Sequence, residues 1–384
     1  MMREMDFVDE YYADKDLSLL KKLTLVIPTY NRNYYLSRCL WYHAHFPFGE
    51  IIVADSSPEE KKVVNRETVQ KIREMFGTDI RYLEYEPETE KYGGDVYRKW
   101  GDAVQHVETE YSQIVTDKEF LIPTTLTKCI ECLAGNADIS ICEGHYYYIE
   151  SLLRGKGSVR NMYPSKTALL QNDAIARLNA TASGKNKSCN QMGIRKTEFH
   201  KRLYKTLSKH KIDDIRFGEF TLEFLTIIQS KSQYLEQPYI YRDICNLYSH
   251  NNLQKSESSS LRYPYLDTYI RENVYAEYFR RFTDCLTPEI VSNSSLNRSQ
   301  AQNYIQETLP QIIRMRGFYG NTKLTQDPLW YLWRKSPAHV KSIGGHIVPK
   351  KYLDYRPLQK PEEMIIAQII ENTKQDNFTD LTIV

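Results

Sequence analysis

The stretch LTLVIPTYNR, residues 23 to 32, decides the fold because it joins a buried strand to a polar loop. Residues Leu23 to Ile27 are apolar or β-branched, and the run stops at Pro28, which is typical of a buried strand that ends in a loop. The residues that follow, Thr29 to Arg32, carry hydroxyl, amide and guanidinium groups. A buried strand with polar groups at its carboxyl end predicts a ligand-binding edge of a sheet.

Strands and helices continue to alternate as far as Cys142. The predicted helices are Tyr34–His45, Glu59–Met75 and Thr124–Leu133, and the further strands are Ile51–Ala54, Ile80–Glu84, Tyr111–Val115 and Asp138–Cys142. This order predicts an α/β fold with a mostly parallel central sheet and right-handed crossovers. Ligands of such sheets bind at the carboxyl ends of the strands. The loops expected to form the site are therefore Thr29–Asn33, Asp55–Pro58 and Thr116–Glu119.

The charge balance argues against a nucleic-acid partner, and the hydropathy argues against a membrane-spanning segment. The 51 Lys and Arg residues nearly cancel the 49 Asp and Glu residues, which leaves a formal net charge of +2. A nucleic-acid binder needs a broad basic face that releases counterions, so we expect no nucleic-acid partner. No run approaches the ~20 apolar residues that cross a bilayer, and no secretory leader opens the chain. We expect a cytoplasmic protein, either free or peripheral at the inner face of the membrane, and leave a homo-oligomer open.

The seven cysteines are an odd number and follow no secretory leader, so we predict reduced thiols. Cys129 and Cys132 have the spacing of half a zinc site. No second pair or histidine cluster at ligand spacing follows them, so zinc is not predicted.

Four motifs occur in order along the chain: LVIPTYNR at 25–32, EIIVADSS at 50–57, IVTDKEFLIP at 114–123 and RFGEFTLEFL at 216–225. Together they resemble the inverting glycosyltransferases of family 2 with the GT-A fold, particularly a bacterial branch, over residues 23 to 250. The resemblance implies a GT-A-type nucleotide-sugar-binding domain at 23–255. A lead-in segment, 1–22, precedes it. A helical C-terminal region, 256–384, begins with a serine-rich linker at Ser256–Ser260 and is expected to contribute no catalytic group to the donor site.

The resemblance also implies the reaction and its partners. The donor is a nucleotide sugar, and the acceptor is a hydroxyl of a glycan or related molecule, including a lipid-linked one, as in polysaccharide biosynthesis. The first loop wraps the nucleotide in that family, which makes Thr29, Tyr30 and Arg32 candidates for contacts with the base, ribose and diphosphate.

The second motif, and a further segment between the second and third motifs, add donor-binding candidates. Family members usually carry two adjacent acids after the second strand, whereas here Ala54 stands beside a single Asp55. A carboxylate at this strand end suits a nucleobase N–H or a ribose hydroxyl, and the alternative is an Asp that only forms a turn. KYGGDVYRKW, residues 91 to 100, is similar to the glycine loop and helix that lie near the diphosphate in relatives, which makes Lys99, or its neighbour Arg98, a candidate. The alternative is that the glycines only form a turn before a helix.

The third motif falls where the family places its acidic metal motif. The resemblance makes Asp117, Glu119 and the distant His250 candidate ligands of a divalent cation, Mn²⁺ or Mg²⁺, that stabilises the diphosphate leaving group. Lys118 occupies the middle position, where relatives have an aspartate. Two interpretations are open: the lysine turns away and the metal is retained, or its ammonium binds the diphosphate in place of the metal.

The fourth motif implies the general base. Inversion needs a carboxylate that takes the proton of the acceptor hydroxyl on the face opposite the leaving group, and Glu219 fits the motif. Asp213, Asp214 and Glu223 are reserve candidates. An acid in the first turn of a helix is also favoured by the helix dipole alone, which is the structural alternative.

Two rival functions follow from the same residues. An altered acidic motif is what a catalytically weak nucleotide-sugar or glycan-binding protein would carry. A nucleotidyltransferase has a related sheet, but its glycine-rich opening loop is missing from LVIPTYNR.

Overall fold

The computed structural model describes residues 7–87, 94–150, 157–162, 166–182, 192–243, 266–315 and 356–375. Its strands are β1 Leu23–Thr29, β2 Glu50–Asp55, β3 Ile80–Glu84, β4 Tyr111–Ile114, β5 Glu119–Leu121, β6 Ile139–Glu150, β7 Ser158–Asn161, β8 Ile194–Lys196, β9 Lys231–Asp243 and β10 Arg356–Pro357. The helices up to β9 are α1 Phe7–Tyr12, α2 Asn33–Ala44, α3 Glu59–Phe76, α4 Gly94–Gln105, α5 Pro123–Gly135, α6 Ala174–Ala182, α7 Thr197–Lys209 and α8 Ile215–Gln229. A short 3-10 helix, Ser18–Lys22, leads into β1.

The strands form one sheet in the order β10-β7-β6-β8-β4-β1-β2-β3, and β9 lies beside both β5 and β6. Strands β1 to β4 pair in parallel, and so do β6 and β9, which make the longest ladder. Antiparallel pairing enters with β5, β7, β8 and β10. The predicted α/β fold with a mostly parallel central sheet is confirmed.

Alternate residues of the central strands face two hydrophobic layers. Leu25 and Ile27 of β1 lie in one buried cluster, whereas Val26 lies in the other. A sheet that is covered on both faces needs apolar residues at every strand position, which explains why β1 and β2 read as continuous apolar runs. The ends of these strands are thereby fixed on both sides.

One predicted boundary is corrected. The sequence placed the end of the first strand at Pro28, but β1 continues through Pro28 to Thr29, and Pro28 pairs in register with Ala54 of β2. Proline is tolerated there because it lies beyond Val26, the last β1 residue that pairs with β4.

Five further helices follow β9 in the described residues: α9 Leu266–Arg271, α10 Tyr275–Asn293, α11 Arg298–Glu307, α12 Leu309–Met315 and α13 Pro361–Gln375. Phe282 and Leu286 of α10 are fully buried in the same cluster as Phe217 and Phe224 of α8. Ile366, Ile369 and Ile370 of α13 are fully buried in the other cluster, which contains β1. The predicted helical character of the C-terminal region thus holds in its described parts, and these parts share their cores with the central sheet. The predicted linker at Ser256–Ser260 lies outside the described residues.

Within the part of the chain that the structure describes, every helix is too short or too polar to span a bilayer. The described cysteines are free: Cys39, Cys129, Cys132, Cys142 and Cys285.

Candidate functional site

The loops after β1 and β2 are tied together by a buried lysine. Lys99 of α4, only 5% exposed, donates to the carbonyl oxygen of Thr29 at 3.0 Å and to the hydroxyl of Ser56 at 2.6 Å. The backbone N–H of Ser56 also donates to the carbonyl oxygen of Thr29 at 3.3 Å. Lys99, predicted to bind the donor, therefore holds the strand-end edge in shape, and a direct donor contact stays a prediction.

The first loop turns through Asn31, whose φ of 56° lies in the left-handed region that asparagine tolerates well. Its N–H donates to the hydroxyl of Ser57 at 2.8 Å, which joins the first loop to the second. Tyr30, a predicted base or ribose contact, is half-buried in this turn. Arg32 directly follows the turn and keeps about two fifths of its side chain exposed, at 41%.

Asp117 joins the third loop to the first. Thr29 Oγ1 donates to its Oδ2 at 3.1 Å, and Arg32 forms an ion pair with its Oδ1 at 3.2 Å. Asp117 itself is buried, at 2% exposure. Thr29 and Arg32 were predicted to bind the donor, and Asp117 was predicted to bind a metal. The three residues form one connected group at the carboxyl ends of β1 and β4.

Asp55, the predicted base or ribose contact, is fully buried and accepts three hydrogen bonds from the protein. The donors are the N–H of Ser57 at 2.7 Å, the amide of Asn65 at 2.6 Å and the hydroxyl of Tyr82 at 2.5 Å. This carboxylate holds the second loop against α3 and β3. Its predicted nucleotide contact stays a prediction, and in this structure its turn-forming role is the visible one.

The side chain of Glu119 points into the core, whereas that of Asp117 contacts Thr29 and Arg32. Its side chain is fully buried and accepts from the N–H of Thr116 at 2.7 Å and from the hydroxyl of Tyr146, and Arg242 forms an ion pair with it at 3.6 Å. The chain turns between Thr116 and Glu119, whose N–H donates back to the carbonyl oxygen of Thr116 at 3.1 Å.

The predicted divalent-cation site was tested against these contacts. Across the described ranges, no group of three or more His, Cys, Asp or Glu side chains is arranged to hold a metal ion. Both oxygens of Asp117 and both oxygens of Glu119 already have protein donors. In this arrangement the two carboxylates are held by separate sets of protein donors, and a cation bound by them stays a prediction. His250, the third predicted ligand, lies outside the described residues.

Lys118, which stands between Asp117 and Glu119 in the sequence, is half-buried. Its Nζ lies 4.3 Å from the centre of the Tyr35 ring. Burial, followed by the charge of Arg32, lowers the pKa of Lys118 to about 8, against the opposing effect of Asp117 and Asp243. Lys118 is therefore close enough to Arg32 for their charges to interact.

A second layer of buried charge supports this loop. Arg38 of α2 and Asp243 at the end of β9 form an ion pair of 2.8 Å in which both side chains are fully buried. The N–H of Asp243 donates to the carbonyl oxygen of Lys118 at 3.0 Å, which fixes the lysine backbone. No sequence pattern pointed to Arg38, Asp243, Arg242 or Tyr146, because each acts on a loop that is distant along the chain.

Glu219 lies in the second turn of α8, because the helix begins at Ile215. Its carboxylate is 26% exposed and forms an ion pair of 2.9 Å with Arg216, one turn earlier. Gly218 packs so closely on the Tyr97 ring of α4 that an added Cβ would lie 2.6 Å from a ring carbon. Glu219 is therefore adjacent to the helix that carries Lys99, and it is not the first-turn acid that the dipole alone would explain.

The reserve candidates have other partners. Asp213 forms an ion pair with Arg281 at 3.2 Å. Asp214 is the N-cap of α8, and its Oδ1 accepts from the N–H groups of Arg216 and Phe217 and from the hydroxyl of Tyr269. Glu223, one turn beyond Glu219, is buried at 6% exposure.

The stability of the protein is expected to depend on the charge of Asp214. Its Oδ2 is buried and has no hydrogen-bond partner among the described residues, and burial raises its pKa from the ordinary 3.8 to about 7. A raised pKa means that the protonated form stabilises the fold, and this contribution is lost as the pH rises from about 4 to about 7. Asp214→Asn keeps a capping oxygen and does not titrate, so its unfolding free energy should lose less between pH 4 and 7 than that of the wild type.

Urea unfolding of both proteins across this pH range measures the difference. Asp214→Ala, which removes the cap, should be ~1–2 kcal/mol less stable than Asp214→Asn at every pH, because neither variant titrates. Parallel pH profiles for wild type and Asp214→Asn would contradict the assignment.

No protein-family model matches the chain, and neither does any curated protein. Among solved structures it is similar to Staphylococcus aureus TarS. The 1–349 fragment in complex with UDP-GlcNAc aligns with a TM-score of 0.49 and 16% identity over 80% of this chain and 78% of that chain. The UDP complex gives 0.47 and 16% over 80% and 77%, and a longer TarS structure gives 0.44 and 17% over 83% of this chain and 50% of that chain.

Proposed function

We propose that this protein is an inverting glycosyltransferase that moves a sugar from a nucleotide-sugar donor to a hydroxyl of a glycan or related acceptor. The observation that carries the proposal is the connected group at the carboxyl ends of β1, β2 and β4. Thr29, Arg32 and Asp117 are joined there by hydrogen bonds, and Lys99 ties Thr29 to Ser56. Ligands of parallel α/β sheets bind at this edge.

The charges at this edge favour an anionic donor. Arg32 is 41% exposed, and Lys118 lies close enough for the two positive charges to interact. A guanidinium binds phosphate oxygens in a forked geometry, and an ammonium adds a compact charge. A diphosphate placed here would reduce the repulsion between the two cations and give each of them an anionic partner.

The proposed reaction requires one base and one stabilised leaving group. The bond between the anomeric carbon and the diphosphate oxygen breaks, and the nucleoside diphosphate leaves with the electron pair. A lone pair of the acceptor oxygen forms the new bond from the opposite face, and the acceptor proton passes to the carboxylate of Glu219. Arg216, 2.9 Å from Glu219, orients this carboxylate.

Nucleotide binding tests the proposal first. Thermal unfolding is measured with UDP, GDP, ADP, CDP and dTDP, with and without Mn²⁺, and a ligand at 100 times its Kd should add ~2.7 kcal/mol of stability. Arg32→Ala should weaken the tightest nucleotide ~10-fold or more, the value of a lost charge-assisted hydrogen bond. Failure of all five to bind would overturn the proposal.

Donor turnover separates the proposal from its rival. The sugar nucleotides of the base that binds are then incubated with the protein, and release of the nucleoside diphosphate is measured. Binding with no hydrolysis or transfer would favour a nucleotide-sugar or glycan-binding protein, a role with which the internally bonded carboxylates of Asp55 and Glu119 also agree. Glycan and lipid-linked acceptors, and the oligomeric state, remain predictions.

A further inference from the structure

We propose that two side-chain cations, Arg32 and Lys118, take the place of a divalent metal, so that the protein binds the diphosphate of its donor without one. The inference rests on the proposed function and specifies how that site holds its ligand. It chooses between the two interpretations of Lys118 that the sequence left open.

The first step is that each oxygen of the two acids of this loop already accepts from a protein donor. Asp117 is 2% exposed, with one oxygen held by Thr29 and the other by Arg32. Glu119 faces the opposite way and is held by Thr116 and Tyr146. A cation that replaced these donors would leave buried hydroxyl and N–H groups without acceptors, which is costly.

The second step is the local charge. The charged side chains around the loop are the cations Arg32, Arg38, Lys118 and Arg242 and the carboxylates Asp117, Glu119 and Asp243. Cations therefore outnumber carboxylates by one in this set of described residues. A divalent cation is attracted by an excess of carboxylates, whereas this excess of positive charge attracts an anion.

The third step is that Lys118 is held in place. Its backbone carbonyl accepts from the N–H of Asp243, and its ammonium lies over the face of Tyr35. Asp243 is in turn fixed by the buried ion pair with Arg38. A cation that is positioned before the ligand arrives loses little freedom on binding, so it stabilises the leaving group at low cost.

The measurement is the Kd of the tightest nucleoside diphosphate, by calorimetry, in excess EDTA and in Mn²⁺. We expect the two values to agree within about twofold. Lys118→Met keeps the length of the side chain and removes its charge, and it should weaken binding in EDTA by ~10-fold or more. Inorganic pyrophosphate, which lacks a base, should compete in EDTA and lose this competition in Lys118→Met.

Two variants control the result. Lys128→Met removes an exposed lysine of α5 that contacts Gln237, and it should leave the Kd unchanged. Lys118→Arg retains the charge and should retain most of the affinity in EDTA, which separates a loss of charge from a loss of folding.

The outcomes distinguish this inference from the proposed function. Binding that requires Mn²⁺ would overturn the inference and leave a metal-dependent glycosyltransferase. A Lys118→Met protein that binds as tightly as the wild type in EDTA would also overturn it, because the lysine charge would then contribute nothing to binding. Absence of nucleoside diphosphate binding in both conditions would remove the proposed function and this inference with it.

Discussion

Glu219→Gln is expected to lower sugar transfer by at least ~100-fold and to leave nucleoside diphosphate binding unchanged. A positioned general base contributes this much or more to a rate, and glutamine cannot accept the proton. Glutamine has the same shape, and its amide oxygen can still accept from Arg216, which is 2.9 Å from the carboxylate. The helix and its close packing on Tyr97 should therefore survive the change. Transfer is measured at saturating donor and acceptor, and binding is measured separately.

Two further variants make this result specific. Glu60→Gln removes an exposed helical glutamate of α3 and should transfer sugar at the wild-type rate. If Glu219→Gln keeps near-normal turnover, the base is another acid, and Asp213→Asn is the next variant because its carboxylate lies in a partly exposed ion pair with Arg281. Asp214 is a weaker candidate, since its oxygen Oδ1 is bound to two backbone N–H groups and to Tyr269.

The central strands were predictable because their burial is continuous. Every residue of β1 and of β2 is buried, so each strand appears in the sequence as an apolar run that ends at polar residues. β5 has only three residues, Glu119 to Leu121, and it pairs with β9, which lies more than a hundred positions later in the chain. A strand this short has no periodic pattern of its own, so the sequence could not locate it.

The acidic motif shows the same limit at the level of side chains. Asp117 and Glu119 are two positions apart, which in a continuous strand would place them on one face. The chain instead turns at Thr116, so Asp117 faces the first loop and Glu119 faces Tyr146. Thr29 and Arg32 could be placed at this edge from the sequence because they lie at or just after the end of a strand, whereas Tyr146 and Arg242, the partners of Glu119, come from distant strands.

The C-terminal helix α13 carries no recognisable motif, yet one of its side chains, Glu363, has several protein partners. Glu363 is fully buried and accepts from the hydroxyl of Tyr241 at 2.9 Å and from the N–H groups of Gln359 at 2.9 Å and Lys360 at 3.2 Å. Arg356 of β10 completes the set with a forked ion pair, one arm of which is 2.8 Å long. This group fixes α13 to β9. Arg242, which follows Tyr241 in β9, forms an ion pair with Glu119.

Glu363→Ala is therefore expected to lower the free energy of unfolding by ~3 kcal/mol at neutral pH. Removing one partner of a buried ion pair costs ~3–5 kcal/mol, and the lower end applies because the Arg356 side chain is 32% exposed. Met364→Ala, at the neighbouring but 53% exposed position of the same helix, should change stability little. Urea unfolding at equal pH and salt measures both.

The pH dependence of this loss provides the sharper test. Burial alone would raise the pKa of Glu363, but the hydrogen bonds from Arg356, Gln359, Lys360 and Tyr241 outweigh it and lower the pKa below the ordinary 4.5. A lowered pKa means that the ionised form stabilises the fold, a contribution that is present above pH 4.5 and is lost as the pH falls through the lowered value. The difference between wild type and Glu363→Ala should therefore be largest near neutral pH and should shrink in acid. A difference that stays constant down to pH 3 would mean that lost packing, and not the lost carboxylate, destabilises the variant.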